Sequence, residues 1–224
     1  CRRGGGTSNS APDAEVYGCI VYNNGWEAPD RRHGHNAYTQ NQNGTQLLRD
    51  NILYNPFSYN IHMYGSDQAF LNNFTWEGNV VFNGQTLFGG DTPVKNLTLR
   101  QNLFYKAVIN LGYSNLNNDG LLLADNYLTH GMFLKYFRNV TVTGNTMLQL
   151  TRDAPALILA VYPPTGVSLS DYHFDQNLYY QSNGGNDFYM PGVGYTFEKW
   201  QALGLDVHGT YTATASPGYL PTGV

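Results

Sequence analysis

The sequence predicts an all-β chain wound as a single-stranded right-handed parallel β-helix of about six to seven coils. Three observations predict it. The composition is poor in helix formers and rich in β and turn formers, with 18 Tyr, 25 Gly and 25 Asn among 224 residues. A short phrase recurs along the chain: an apolar-polar run, then Gly, Asp or Gln, then Asn, then apolar or aromatic residues. It reads Leu48-Arg-Asp-Asn51-Ile-Leu-Tyr54, Trp76-Glu-Gly-Asn79-Val-Val-Phe82, Leu99-Arg-Gln-Asn102-Leu-Phe-Tyr105, Leu123-Ala-Asp-Asn126-Tyr-Leu, Val142-Thr-Gly-Asn145-Thr-Met and Phe174-Asp-Gln-Asn177-Leu-Tyr-Tyr180, with Val16-Tyr-Gly-Cys19-Ile-Val-Tyr22 ahead of them. Thirdly, the steps from Cys19 onward are 32 (51 − 19), 28, 23, 24, 19 and 32 residues. The shorter ones suit one coil of a solenoid and the longer ones the same coil with a loop inserted. An antiparallel sandwich is the competing architecture. Its Asn-Gly hairpin signals (Asn24-Gly25, Asn43-Gly44, Asn83-Gly84, Asn183-Gly184) do not recur at a fixed phase.

Taken in order, residues 1–13 form an irregular start. Arg3-Gly-Gly-Gly6 lacks the Lys-Ser/Thr of a phosphate-cradling loop. Residues 14–181 carry the coils. Each Asn is expected at a sharp turn, where it tolerates left-handed geometry and its amide can bond backbone of its own turn or the next. Stacking would align Asn51, Asn79, Asn102, Asn126, Asn145 and Asn177 in a ladder. Ile52, Val80, Leu103 and Tyr127 are expected to stack as inward residues. Residues 182–224 form a loop, a short helix over Thr196–Leu203 ended by Gly204, and an extended tail. No linker breaks the repeat, so one domain is expected.

The charge excludes some partners. The net charge is −4, and no basic run exceeds Arg31–Arg32, so nucleic acid is not expected. No stretch approaches about 18 apolar residues, so no membrane-spanning segment is expected. Cys1 and Cys19 could pair, but two cysteines make no disulfide framework. Four N-x-S/T sequons, at Asn43, Asn73, Asn96 and Asn139, are what chance gives in so Asn-rich a chain.

The phrases Tyr17-Gly-Cys-Ile-Val-Tyr-Asn-Asn-Gly-Trp26, Arg32-His-Gly-His-Asn-Ala-Tyr-Thr-Gln-Asn41 and Tyr59-Asn-Ile-His-Met-Tyr-Gly65 resemble bacterial proteins of the right-handed parallel β-helix repeat family, the pectate-lyase-like superfold. The tail Phe197-Glu-Lys-Trp200 … Gly204-Leu-Asp-Val-His208 is similar to a segment that often follows the last coils of such proteins. The resemblance is specific for fold and weak for reaction, since the superfold hosts lyases, glycosidases, epimerases and non-catalytic surface proteins. It implies an extracellular, cell-surface or periplasmic location. Two departures stand out: the N-terminus enters a coil without a capping helix, and Cys19 occupies the first ladder place. They lead to the expectation of part of a longer protein, or of an edge covered by something else.

The densest polar cluster lies in Asp30–Tyr38 and Asn60–Asp67. Superposing Ala37 on Ile61 as inward residues puts Tyr38 beneath His62 and Gln40 beneath Tyr64 on one outer face, with Phe88 and Asn110 continuing the column. In an elimination on a uronic acid each member has a task. An Arg neutralises the carboxylate, a Tyr or His takes the adjacent carbon-bound proton, and a second protonates the leaving oxygen. The candidate catalytic residues are therefore Tyr38, His62, His35 and Arg32. Trp26, Arg31, His33, Tyr64 and Lys106 are candidates for substrate binding, and Lys135 is a further candidate cation. The expected partner is a polysaccharide or oligosaccharide. Hydrolysis by paired carboxylates would draw on Asp30, Asp67, Glu77 and Asp91, but no Asp-Asp pair occurs.

No cofactor is expected. His33, His35 and His62 could ligate zinc, but no recognised ligand motif accompanies them. The resemblance leaves room for calcium near Asp67 or Asp119, without a loop pattern to support it. His130, His173 and His208 stand alone and read as structural or exposed. Two functions stay open: a polysaccharide-lyase-like enzyme, and a non-catalytic surface or carbohydrate-binding solenoid.

Overall fold

The computed structural model describes residues 7–9, 11–26, 33–67, 69–149, 157–181 and 187–213. The chain is all-β with parallel strands in two sheets, one of them curled. The second sheet stacks Ala14–Tyr17, Gln46–Arg49, Leu71–Glu77, Val94–Arg100, Asn118–Ala124, Phe137–Thr143 and Tyr172–Asp175. The larger sheet has two stretches. One stacks Ile20–Tyr22 and Ile52–Tyr54 onto the first halves of Val80–Phe88 and Leu103–Leu111, then Tyr127–Leu128, Thr146–Gln149, Leu178–Gln181 and Thr210–Thr212. The other stacks Thr7–Asn9, Ala37–Thr39 and Tyr59–Met63 onto the second halves of those two long strands, then Met132–Lys135, Leu159–Tyr162 and Phe188–Met190. The long strands bend where Asn83 and Lys106 take positive φ, 55° and 50°, and that curls the sheet.

On each circuit the chain visits the second sheet, then the first stretch, then the second stretch, adding one strand to each. The described strands pair in parallel throughout, except for the hairpin of Phe188–Met190 with Val193–Tyr195. Pairing continues beyond residues 14–181 at both ends, through Thr7–Asn9 and Thr210–Thr212. Among the described residues the one α-helix, Phe197–Ala202, starts at Thr196, whose hydroxyl accepts from Lys199 N, and buries Phe197 and Trp200.

The asparagines do stack. Asn51, Asn79, Asn102, Asn126, Asn145 and Asn177 are all buried. Each Oδ1 accepts the backbone N–H of the corner residue one circuit earlier, at 2.9–3.0 Å, beginning with Cys19. Each Nδ2 donates back to a strand carbonyl, from Val16 O for Asn51 to Val142 O for Asn177. The left-handed geometry, however, belongs to the residue before each Asn: Asp50, Gln101, Asp125 and Gln176 have φ between 55° and 60°. This leaves the Asn amide free to point inward as both donor and acceptor. The last Asn is closed by the buried Asp206, whose carboxylate accepts from Asn177 N, Asn177 Nδ2 and Tyr179 Oη. At the other end Cys19 donates its N–H, but its side chain carries a free thiol instead of an amide.

The inward set needs a correction. Ile52, Val80, Leu103 and Tyr127 stand in one register, as expected, but on the outside; Ile52 is 36% exposed. Because the Asn side chain itself points inward, the next residue points out and the one after it points in. Val21, Leu53, Val81, Phe104, Leu128, Met147 and Tyr179 are therefore the buried stack. They meet Trp76, Phe74, Leu99, Leu123 and Val142 from the second sheet. At about 2–3 kcal/mol for each large side chain, their burial is the main stabilising term. On the outer side Tyr22, Tyr54 and Phe82 stack ring on ring, with centroids 4.9 and 4.8 Å apart.

Candidate functional site

The second stretch of the larger sheet brings the expected cluster together. Ala37 pairs with Ile61 and Tyr38 with His62, both inward residues being fully buried. Gln40 reaches the next strand, where its Nε2 donates to Tyr64 O at 2.9 Å and to Tyr38 Oη at 3.3 Å. Phe88 does not continue the column. It pairs with Met63 and is buried, while Leu87 stands opposite His62, followed by Asn110. The cause is a bulge: the register slips between Tyr59 and Ile61, so that Asn60 and Ile61 are both buried. The extra residue turns Tyr59 to the same side as His62, although regular alternation would oppose them. Their rings stack 4.7 Å apart at 12°.

His35 is only 5% exposed and enters from the segment before Ala37. Its Nε2 lies 3.0 Å from His62 Nδ1, and Tyr59 N–H donates to its Nδ1 at 3.4 Å. A backbone amide can only donate, so Nδ1 of His35 holds a lone pair and the neutral ring carries its proton on Nε2. That proton is given to His62 Nδ1. His62 must then carry its own proton on Nε2, which has no hydrogen-bond partner among the described residues. Tyr38 stacks on His35 at 5.9 Å and meets His62 edge-on at 5.4 Å, with the Tyr64 ring tilted 5.1 Å from His62. Beneath the pair, Asn24, Asn36 and Asn60 form a buried amide chain, Nδ2 to Oδ1, at 2.8 and 2.6 Å.

Both imidazoles are held neutral. Burial, and then the nearby His33, lowers His35 to about 4. Burial, followed by His35 and His33, lowers His62 to about 4. In the unfolded chain both titrate near 6.5, so on acidification the unfolded chain takes up protons first. Stability therefore falls as pH drops from about 6.5 to about 4 and levels off below that. With allowance for solvent screening the pair accounts for on the order of 3 kcal/mol. We expect the His35→Gln/His62→Gln protein to lose that much less stability than the parent between pH 7 and pH 4.5, read from urea midpoints. The same pH dependence in both proteins would remove the neutral pair.

Tyr64 Oη donates to Asp91 Oδ2 at 2.7 Å; this bond, then burial and the carboxylate charge, pushes the phenol up to about 12. Burial also raises Tyr38, against the Gln40 hydrogen bond. Tyr113 flanks Tyr64 at 6.1 Å. The exposed His33 sits 6.3 Å from His35. Trp26, 47% exposed, packs edge-on against Phe57 and donates Nε1–H to Asn55 O. It is linked to the cluster through Gly25, which lies so close to Gly34 that a Cβ on Gly25 would come within 2.3 Å of Gly34 Cα. Arg31, Arg32 and Asp30 lie outside the described residues. Lys106 is not brought to the cluster: it is exposed at the bend, with Nζ 5.6 Å from the Tyr105 ring. Lys135 lies further along the outer face that carries His62.

Of the described carboxylates considered for hydrolysis, Asp91 joins the cluster, while Glu77 pairs with Arg100 on the second sheet at 2.8 Å. Among the described residues, no three His, Cys, Asp or Glu side chains converge on a metal-sized site. No described helix is long and apolar enough to cross a membrane. Tyr59 and Tyr113 were not read from the sequence as site residues; the bulge hides the first, and the second arrives from a loop with no repeat phase. A shallow depression of about 310 Å³ lies elsewhere, along the Asn corner between Ile52, Val80 and Leu103. No family model matches the chain, and no curated protein or solved structure is significantly similar to it.

Proposed function

We propose that the chain is a right-handed parallel β-helix, outside the cell or at its surface, which binds an acidic polysaccharide across the His62 face and cleaves it by a polysaccharide-lyase-type β-elimination. The circuit of parallel strands and the buried asparagine stack support the fold reading. The observation that carries the function is the His35–His62 pair set among Tyr38, Tyr59 and Tyr64, because it puts a neutral N–H donor on a ring in contact with two phenols.

The tasks divide as follows. His62 Nε2–H donates to the uronate carboxylate and stabilises the charge that develops there when the adjacent carbon loses its proton. Tyr64 Oη takes that proton while its own passes to Asp91 Oδ2. A phenol raised to about 12 is a strong base once deprotonated. The electron pair forms the new carbon–carbon double bond and expels the glycosidic oxygen. Tyr38, held by Gln40, protonates that oxygen. His35 touches no substrate in this scheme; it sets the tautomer of His62. The alternative, a binding-only solenoid, draws on one observation: both phenols are raised and so stay protonated at neutral pH, which suits recognition through donors.

Incubation with a panel of acidic polysaccharides is expected to generate absorbance at the unsaturated-uronate band. His62→Ala should keep the fold and slow that signal about a hundredfold. Unchanged turnover in the variant would exclude His62, and retardation in affinity gels without new absorbance would establish binding alone.

A further inference from the structure

The outer face that carries His62 continues well past it. Opposite His62 stands Leu87, then Asn110, Phe133, Ala160 and Tyr189, one per strand. Their neighbours Phe88, Leu111, Leu134, Val161 and Met190 are buried in the core, so this column stands on the opposite side of the sheet, where Ala160 is itself fully covered and Phe133 and Tyr189 are half-buried. The middle of the face is low: Leu87 is 7% exposed, and the adjoining positions are Gly89, Gly90 and Gly112. Beyond this floor aromatic side chains return. Lys135 Nζ lies 5.3 Å from the Phe133 ring and 5.9 Å from Tyr162, and Tyr162 meets Tyr189 at 5.8 Å. The ammonium is thus held by ring faces. Among the described residues no carboxylate lies within ion-pair distance of it.

We infer that Lys135, Phe133, Tyr162 and Tyr189 form a second sugar subsite, one that takes an anionic unit of the same chain whose cleavage point lies at His62. This rests on the proposed function and deepens it. An ammonium fixed between aromatic rings is pre-positioned and only partly hydrated, so a sugar carboxylate replaces water on it at little ordering cost. The flanking phenol rings offer apolar faces to the sugar's C–H side. Lys135 lies three strand spacings from Tyr64, about 14 Å along the stacking direction. A short oligomer seated at His62 cannot reach it, whereas a longer one crosses the glycine floor and gains a second anchor. The protein is therefore selective for chain length.

The test uses trimers and octamers of galacturonate and of mannuronate, with affinities measured by calorimetry on the whole chain and on Lys135→Met. The variant keeps the apolar stem that packs on the rings and removes the charge. For whichever sugar binds, the parent should hold the octamer at least about tenfold more tightly than the trimer, and Lys135→Met should lose that difference with trimer affinity unchanged. A parent without length preference, or a variant that retains it, overturns the subsite while leaving the His62 reading intact. Failure of both oligomers of both sugars to bind overturns the two together.

Discussion

Replacing Asn102 by alanine should cost about 4 kcal/mol of folding free energy, although no catalytic group is near it. Asn102 is 2% exposed. Its Oδ1 accepts from Asn79 N and Asn79 Nδ2, and its Nδ2 donates to Trp76 O and Asn126 Oδ1, each at 2.9 Å. Two of those partners have other bonds to fall back on: Asn79 Nδ2 still reaches Leu48 O, and Asn126 Oδ1 still accepts Asn102 N. Of the other two, Asn79 N–H is left buried without a partner, at about 1–3 kcal/mol. Trp76 O keeps the ladder pairing of its strand with Val94–Arg100 and loses only the side-chain donor, and the lost amide bonds and a small cavity add to that. Aspartate would do no better, since it cannot donate to Trp76 O. The stack tolerates a carboxylate at Asp206 because that is its last place, with only donors to receive. Asn55→Ala is the comparison: Asn55 is exposed at a corner with φ 50°, and its Nδ2 bonds Asn23. Losing its tolerance of that φ should cost about 1–2 kcal/mol. Equal shifts in urea midpoint for the two variants would mean that the buried amides do not tie the circuits together.

The same amides explain what could be read from the sequence alone. An Asn that recurs after Gly, Asp or Gln is legible because few other short side chains accept and donate at a buried corner. That repeat was enough to place Tyr38 beside His62 and to predict parallel pairing. The capped helix at Thr196 was legible for a similar reason, since its signals are local. What failed was parity. A repeat tells which residues stack, but not which way they point, and Ile52, Val80, Leu103 and Tyr127 stack outside instead of inside. The bulge at Asn60 was invisible too. It moved Phe88 out of the column, put Leu87 in it, and brought Tyr59 onto His62. Asp206 closes the stack from a segment that carries no repeat phrase, so its part became visible only with the fold in hand.

The close approach of neighbouring strands on the His62 face gives the other large expected effect. Gly112 has φ +81°, and a Cβ there would lie 2.1 Å from Lys135 O and 3.0 Å from Asn118 Nδ2. Valine at this position meets two penalties. The left-handed conformation costs an ordinary side chain about 1–2 kcal/mol, and a β-branched one more. The overlap with Lys135 O cannot be relieved by a rotamer change, because the atom struck is backbone. Moving that peptide also disturbs Asn118, whose Nδ2 donates to Lys135 O and whose Oδ1 accepts from Val94 N. Together these should cost about 5 kcal/mol. Gly192 separates the two penalties: its φ is +83°, but nothing lies within 4 Å of its Cβ position. Gly192→Val should therefore lose only the conformational part, about 2 kcal/mol. If thermal or urea unfolding shows the two variants equally destabilised, the strands at Gly112 and Lys135 stand further apart than described. The low floor between His62 and Lys135 would then be lost as well.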